Sequence, residues 1–325
     1  MSLRRAAFLP DGVEELLSET AWAAEDLRRQ VLDHFRAQNY QLILPPLVEH
    51  LDSLLVGAGE DLEDQTFRFM DPASGRMLGV RADMTPQAAR VAATRFPGDA
   101  TVRLCYVGSV LRTHPDVPGG SRSPRQVGCE LFGDASLEAD AEVLRMMIET
   151  LAIAGIQQPL IDLGHVGVYS SLIADLGLRP GDEQVLFDIM QRKCVPELDS
   201  WLRSAGLPVE AQRALRHLVE LHGGADVPAR ARQVLPDDPG IVAALDALEA
   251  MIARMERVGS YALHVDLSEL RGFRYQTGLS FAAFGTDRAR ELARGGRYDG
   301  IGDIFGAPRP ATGFSADLNE LLALY

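Results

Sequence analysis

Apolar residues recur at helical spacing over residues 14–37, where Leu16, Leu17, Ala21, Ala24, Leu27, Val31, Leu32 and Phe35 share one face. The pattern predicts a long amphipathic helix, preceded by a turn at 8–12 (FLPDG). After Asn39 a run over 41–44 predicts a strand, stopped by Pro45 and Pro46. Residues 66–70 and 76–81 predict two strands around a turn at 71–75. Pro86 suits the first turn of a helix that runs through Arg95. Thr85, directly before it, is placed to cap that helix.

Two further apolar runs, 104–111 and 127–132, predict antiparallel strands joined by a loop rich in Pro, Gly and Ser. The clearest helix covers 136–154. Ser136 caps it, Glu138 and Asp140 suit its positive first turn, and Gly155 ends it. Leu137, Ala141, Leu144, Ile148 and Leu151 form its inner stripe, and 160–163 reads as a strand of the same sheet. From 178 to 258 the chain is rich in Leu, Ala, Arg and Glu, helical in period, and interrupted by Pro196, Pro208, Pro228, Pro236 and Pro239. Strand patterning resumes over 261–266 and 278–284. The expected organisation is a core in two parts, 1–177 and 259–325, with a helical insertion at 178–258.

Composition narrows the function classes. The 325 residues are 46% hydrophobic, enough for a sizeable core. A net charge of −14 argues against a free-standing nucleic-acid binder. Cys105, Cys129 and Cys194 lie far apart with no CxxC pair, so neither a disulfide framework nor a zinc site is signalled. Cys105 and Cys129 fall inside apolar strands and read as core thiols. His217 and His222, five apart in what reads as a helix, are expected in solvent rather than on a metal. No apolar run is long enough to span a bilayer, and the N-terminus lacks the apolar core of a signal peptide. The expectation is a soluble, cytoplasmic protein.

The candidate chemistry gathers around residues 103–133. Arg112 stands where the first strand ends, and Gln126 and Glu130, four apart on the second, point to one face. A guanidinium, an amide and a carboxylate on one face suit a small ligand carrying both charges. A solvated hairpin explains the spacing equally well. The stretch resembles motif 2 of the class II aminoacyl-tRNA synthetases in its histidyl form: an aromatic, x-Gly, an arginine, a loop, then Gln-x-Gly-x-Glu. Three more blocks match in order: VRADMT (80–85), RGFRYQTG (271–278) and GGRYDG (295–300). The helix, strand and proline over 14–46 resemble motif 1.

The resemblance implies an α+β fold, a class II synthetase-like antiparallel sheet flanked by helices with a helical insertion. It implies a homodimer built on motif 1 and a histidine pocket of Asp83, Thr85, Arg112, Gln126, Glu130, Arg271, Tyr275 and Tyr298. The departures from it are equally informative. In ATGFSADLNELL (311–322) the family's Gly-Leu-Glu-Arg becomes Asp317, Leu318, Asn319 and Glu320. A carboxylate where triphosphate charge must be neutralised is repulsive, by about 4 kcal/mol for unit charges about 4 Å apart at an effective dielectric of about 20. Arg112-Thr113-His114 lacks the acid of Arg-x-Glu, and Arg274 and Gln276 replace an Asp and a Tyr of the histidine block. Tyr325 falls just after the motif 3 remnant, and the expectation is a chain without an anticodon-reading domain. The pattern resembles the regulatory subunits of ATP phosphoribosyltransferase. It implies a chain without catalysis or cofactor that partners the short-form catalytic subunit and takes free histidine as effector in the first step of histidine biosynthesis, with no membrane or nucleic acid. A divergent amino-acid-activating enzyme and a tRNA-associated adaptor are the alternatives.

Overall fold

The computed structural model describes residues 9–55, 60–116, 120–256, 258, 260–270, 272, 275–285, 290–306 and 308–323, without the side chains of 60, 61, 303 and 304. In chain order the helices are α1 (Ser18–Ala37), α2 (Leu51–Leu54), α3 (Glu60–Gln65), α4 (Thr85–Arg95), α5 (Leu137–Ile153), α6 (Val166–Ala174), α7 (Pro180–Gln191), α8 (Val195–Ser204), α9 (Val209–Leu218), α10 (Val227–Val234), α11 (Pro239–Met255) and α12 (Leu318–Leu322). The strands are β1 (Gln41–Leu42), β2 (Val48–His50), β3 (Arg68–Met70), β4 (Met77–Val80), β5 (Val102–Ser109), β6 (Arg125–Phe132), β7 (Leu160–His165), β8 (His222–Gly223), β9 (Ala262–Asp266), β10 (Leu279–Phe284), β11 (Glu291–Arg297) and β12 (Ala311–Asp317). They form two compact units: Met1–Asp134 with Glu149–Ile156 and Asp299–Tyr325, and Ala135–Ile148 with Gln157–Tyr298.

In the first unit β5 and β6 form an antiparallel pair, with β1 parallel to β5 and β12 antiparallel to β6. All of β6 after Arg125 is buried, which is why its sequence reads as an unbroken apolar run rather than an alternating one. Helix α1 seats Ala24, Leu27, Val31 and Phe35 in the core, with the Phe35 ring edge-on to Phe314 at 6.2 Å. Burying side chains such as Leu27, Val31 and Phe35 contributes about 1.5–3 kcal/mol each. The helix starts later than its apolar period suggests, because Ser18 at φ +48° turns the chain into it and leaves Leu17 outside. The strand after Asn39 is shorter than expected and ends at Leu42, leaving Leu44 exposed. A separate sheet, β2-β4-β3, is antiparallel throughout. The Asp71 carboxylate accepts the N–H groups of Ala73 and Ser74 and fixes the expected turn between β3 and β4.

In the second unit β10 lies between β11 and β7, with β7 parallel to β9 and β9 paired with β8. Of the pairings described, those of β1 with β5 and β7 with β9 are parallel and the others antiparallel. His222 lies on β8 rather than in a helix, because pairing with Asp266 on β9 extends the chain just past α9. Helices α7 to α11 fall within 178–258. Most of the prolines that seemed to interrupt helices there stand at helix starts: Pro196, Pro228 and Pro239 in the first turns of α8, α10 and α11, and Pro208 directly before α9. Helix α11 buries Leu245, Leu248, Met251, Ile252 and Met255 and packs on α6. Helix α5 runs Leu137–Ile153 within the expected bounds, and Gly155, at φ +83°, follows its end. Its Asp140 does more than favour the helix start: the carboxylate accepts from Arg297 Nε at 3.0 Å in a buried pair.

Candidate functional site

Strand register builds the site in the first unit. Gln126 stands opposite Gly108 and Asp317, and Glu130 opposite Leu104 and Gly313. Residues paired across strands share a face, so Gln126, Glu130, Tyr106 and Asp317 project to one side. The start of α4 lies there. Met84 N–H donates to Gln126 Oε1 at 2.8 Å, and Gln126 Nε2 donates to Asp83 Oδ1 at 3.0 Å. Asp83 Oδ1 also accepts the Thr85 N–H at 2.8 Å. The helix is therefore held at its start by Asp83 and Gln126, not by a Thr85 cap. The Thr85 hydroxyl instead donates to Glu130 Oε1 at 2.9 Å.

Glu130 is 1% exposed. The same oxygen accepts from Tyr106 OH at 2.8 Å, so two hydroxyls answer a carboxylate removed from water. Burial, followed by the charges of Glu130 and Asp83, pushes the Tyr106 phenol well above its ordinary range, which keeps it a donor. Gly128 makes this possible: a Cβ there would meet Phe314 O at 2.3 Å and Tyr106 OH at 2.9 Å. Tyr106 was visible in sequence only as the motif's aromatic. Its bond to Glu130 depends on register across two strands.

Arg112 leaves β5 through a bridge to Thr66. Its Nε donates to Ala82 O at 3.3 Å, and its Nη1 donates to Asp116 Oδ2. Arg81, from the VRADMT block, is structural: it donates to Ser109 O at 2.9 Å and Pro45 O at 2.7 Å, and its guanidinium lies over Gly108. Burial lowers its pKa.

At the C-terminal end of the same sheet Asp317 caps α12. Its Oδ1 accepts from Asn319 N–H at 2.9 Å and Arg125 N–H at 3.1 Å. Burial, reinforced by the neighbouring Glu320 charge, raises its carboxyl to about 6 despite those bonds.

The remaining expected residues lie in the second unit. The Tyr275 and Tyr298 rings are 6.3 Å apart, Tyr298 buried and Tyr275 exposed. Gln276 Nε2 donates to Gly295 O at 3.2 Å. Arg271 and Arg274 lie outside the described residues. Sequence spacing did not single out the group of Asp162, His264 and Asp266, whose ligand atoms lie within 4.8 Å of one another. Lys193 donates to Asp266 Oδ2, and His264 Nδ1 lies 2.9 Å from Asp162 Oδ1, so protein charges already address this cluster. Burial raises the Asp162 carboxyl. Cys105 and Cys129 are buried, and burial pushes the Cys105 thiol up to about 12. Among the described residues no helix is long and apolar enough to cross a membrane.

The family model for histidyl-tRNA synthetase matches residues 12–321. An ATP phosphoribosyltransferase regulatory subunit of Thioalkalivibrio sulfidiphilus is 49% identical over 318 residues, 97% of this chain and 80% of that protein. The chain belongs to the histidyl-tRNA synthetase family and, within it, to the ATP phosphoribosyltransferase regulatory subunits. A second such subunit, from Thiobacillus denitrificans, is 45% identical over 98% of this chain and 97% of its own length. A crystal structure described as an ATP phosphoribosyltransferase regulatory subunit/histidyl-tRNA synthetase from Bacillus halodurans C superposes with a TM-score of 0.89 at 27% identity, covering 100% of this chain and 84% of that one. The fold is that of the class II synthetases, as the four sequence blocks imply, and the family places the chain in histidine biosynthesis.

Proposed function

We propose that the chain is a non-catalytic subunit that assembles with the short-form ATP phosphoribosyltransferase, supports its activity and carries inhibition by free histidine. One observation carries the reading. The polar array of Asp83, Thr85, Gln126 and Glu130 is ordered by its own hydrogen bonds, while Asp317, paired with Gln126 across the strands, and Glu320 on α12 set two carboxylates beside it. The first suits an ammonium and an imidazole, with Arg112 for the carboxylate. The second repels a triphosphate. Arg271, Tyr275 and Tyr298 are assigned to the same ligand by motif alone.

Histidine regulates only if it favours one state of the assembly over another. Affinity of about 10–100 µM needs about −5.5 to −7 kcal/mol, within reach of a few charge-assisted bonds after ordering costs. A homodimer built on motif 1 is supported by the exposed apolar side chains of Leu17, Trp22, Leu42, Leu44 and Leu47. The test is reconstitution. The purified chain activates a short-form catalytic subunit, histidine reverses the activation, and Arg112→Ala loses the histidine response while assembly persists. Amino-acid-dependent exchange of pyrophosphate into ATP by the chain alone overturns the reading.

A further inference from the structure

We infer that Asp116 is a built-in competitor for Arg112, a carboxylate that the ligand's own carboxylate must displace. The inference rests on the histidine reading of the site and adds a residue that sets its affinity.

The geometry is specific. Asp116 lies four residues after Arg112 and takes Nη1 on Oδ2. Its other oxygen, Oδ1, accepts from Gln65 Nε2 at 2.9 Å. Both carboxylate oxygens are thus engaged by side chains, one charged and one neutral. The pair is partly sheltered, with the Arg112 side chain 16% exposed and that of Asp116 34%. Arg112 Nε is turned to Ala82 O. A ligand carboxylate seeking two parallel N–H donors therefore meets a guanidinium already committed on two sides. Two carboxylates on one guanidinium repel each other, so binding proceeds by exchange.

Exchange frees Asp116 only in part. Gln65 ends α3, and Thr113 donates its N–H to Gln65 O at 2.9 Å and its hydroxyl to Asp64 O. Residues 112–116 are thus tied to α3 at three points. When the ligand takes Arg112, the Arg112–Asp116 bond opens while the three ties to α3 persist, so Asp116 is released from the guanidinium but stays beside it on Gln65.

The test is calorimetry on the full chain with histidine and with histamine, which keeps the imidazole and ammonium but lacks the carboxylate. Asp116→Asn keeps an acceptor for Gln65 and removes the competing charge. It tightens histidine binding about fivefold to tenfold, the scale of one sheltered charge pair, and leaves histamine unchanged. Asp116→Ala acts in the same direction, so the result does not depend on one variant folding. Equal or weaker histidine binding in both variants, with the wild type binding normally, overturns the competitor role alone. No histidine binding by the wild type or either variant removes the site reading together with it.

Discussion

Two carboxylates project from one face of the same pair of strands, and they are treated in opposite ways. Glu130 on β6 stands opposite Gly313, and Asp317 on β12 stands opposite Gln126. Glu130 is met by two hydroxyls, from Thr85 and Tyr106, which also lie 3.2 Å from each other. Asp317 accepts two backbone N–H groups, and burial, with the weaker repulsion of Glu320, raises its carboxyl to about 6 against those bonds and the Arg112 charge. The sheet, the face and the residue chemistry are nearly the same. What differs is the kind of neighbour: side-chain hydroxyls at Glu130, backbone N–H groups and a like charge at Asp317. The first arrangement is the polar array proposed above to meet the positive groups of a ligand. The second sets a buried carboxyl beside a like charge, an arrangement unfavourable to a polyphosphate.

Removing the better-satisfied carboxylate therefore has the larger effect. Glu130→Ala removes the acceptor shared by the Thr85 and Tyr106 hydroxyls, leaving them the 3.2 Å contact with each other, and costs about 2–4 kcal/mol in denaturant unfolding, along with histidine binding. Tyr106→Phe removes only one donor and costs about 1 kcal/mol. Should Glu130→Ala prove neutral, the two carboxylates are equally poorly served and the contrast between them collapses.

The second test acts on the space between them. Gly128 leaves room for Tyr106 to reach Glu130, and a methyl group there would lie 2.3 Å from Phe314 O. Gly128→Ala should cost about 1–3 kcal/mol through backbone movement in β6 and β12. Calorimetry should also show weaker histidine binding, because the Tyr106 hydroxyl is pushed off Glu130. A methyl tolerated without loss of either property would mean that the glycine serves something other than this approach.

The parts of this site that sequence revealed share a physical cause. The two-residue period of a strand puts Gln126 and Glu130 on one face, and that inference needs no neighbour. Tyr106 acting on Glu130 needs the register of β5 against β6, which spacing along the chain does not contain. The Thr85 cap went wrong for the same reason. A Thr before a Pro is a good cap locally, but Asp83 takes the Thr85 N–H and a strand residue 45 positions on takes its hydroxyl. His222 was misplaced in a helix because a two-residue strand exists only through its pairing with β9. Asp116 was missed although it stands four residues from Arg112, since a loop has no period to say which side chains meet. The fold itself was more legible, because long apolar runs and helical stripes such as that of α1 report burial directly.

The smallest expected effect is also the one with a distinctive pH dependence. Asp317→Asn keeps the oxygen that accepts from Asn319 and Arg125 and removes the buried charge. The native carboxyl titrates near 6, above its ordinary value of 3.8, so the folded state holds the proton more firmly than the unfolded chain. By linkage, this group's contribution to stability improves as pH falls through about 6 and is at its worst above it. At pH about 7.5 the substitution should therefore stabilise the protein by about 1 kcal/mol, after discounting for screening and relaxation. The gain should shrink as pH falls below about 6, where the wild-type carboxyl is itself neutral. Paired urea titrations of wild type and variant at pH about 7.5 and about 5 measure the difference directly. A gain equal at both values would show that the side chain's charge is already answered, and that the two ends of this sheet face are more alike than their hydrogen bonds indicate.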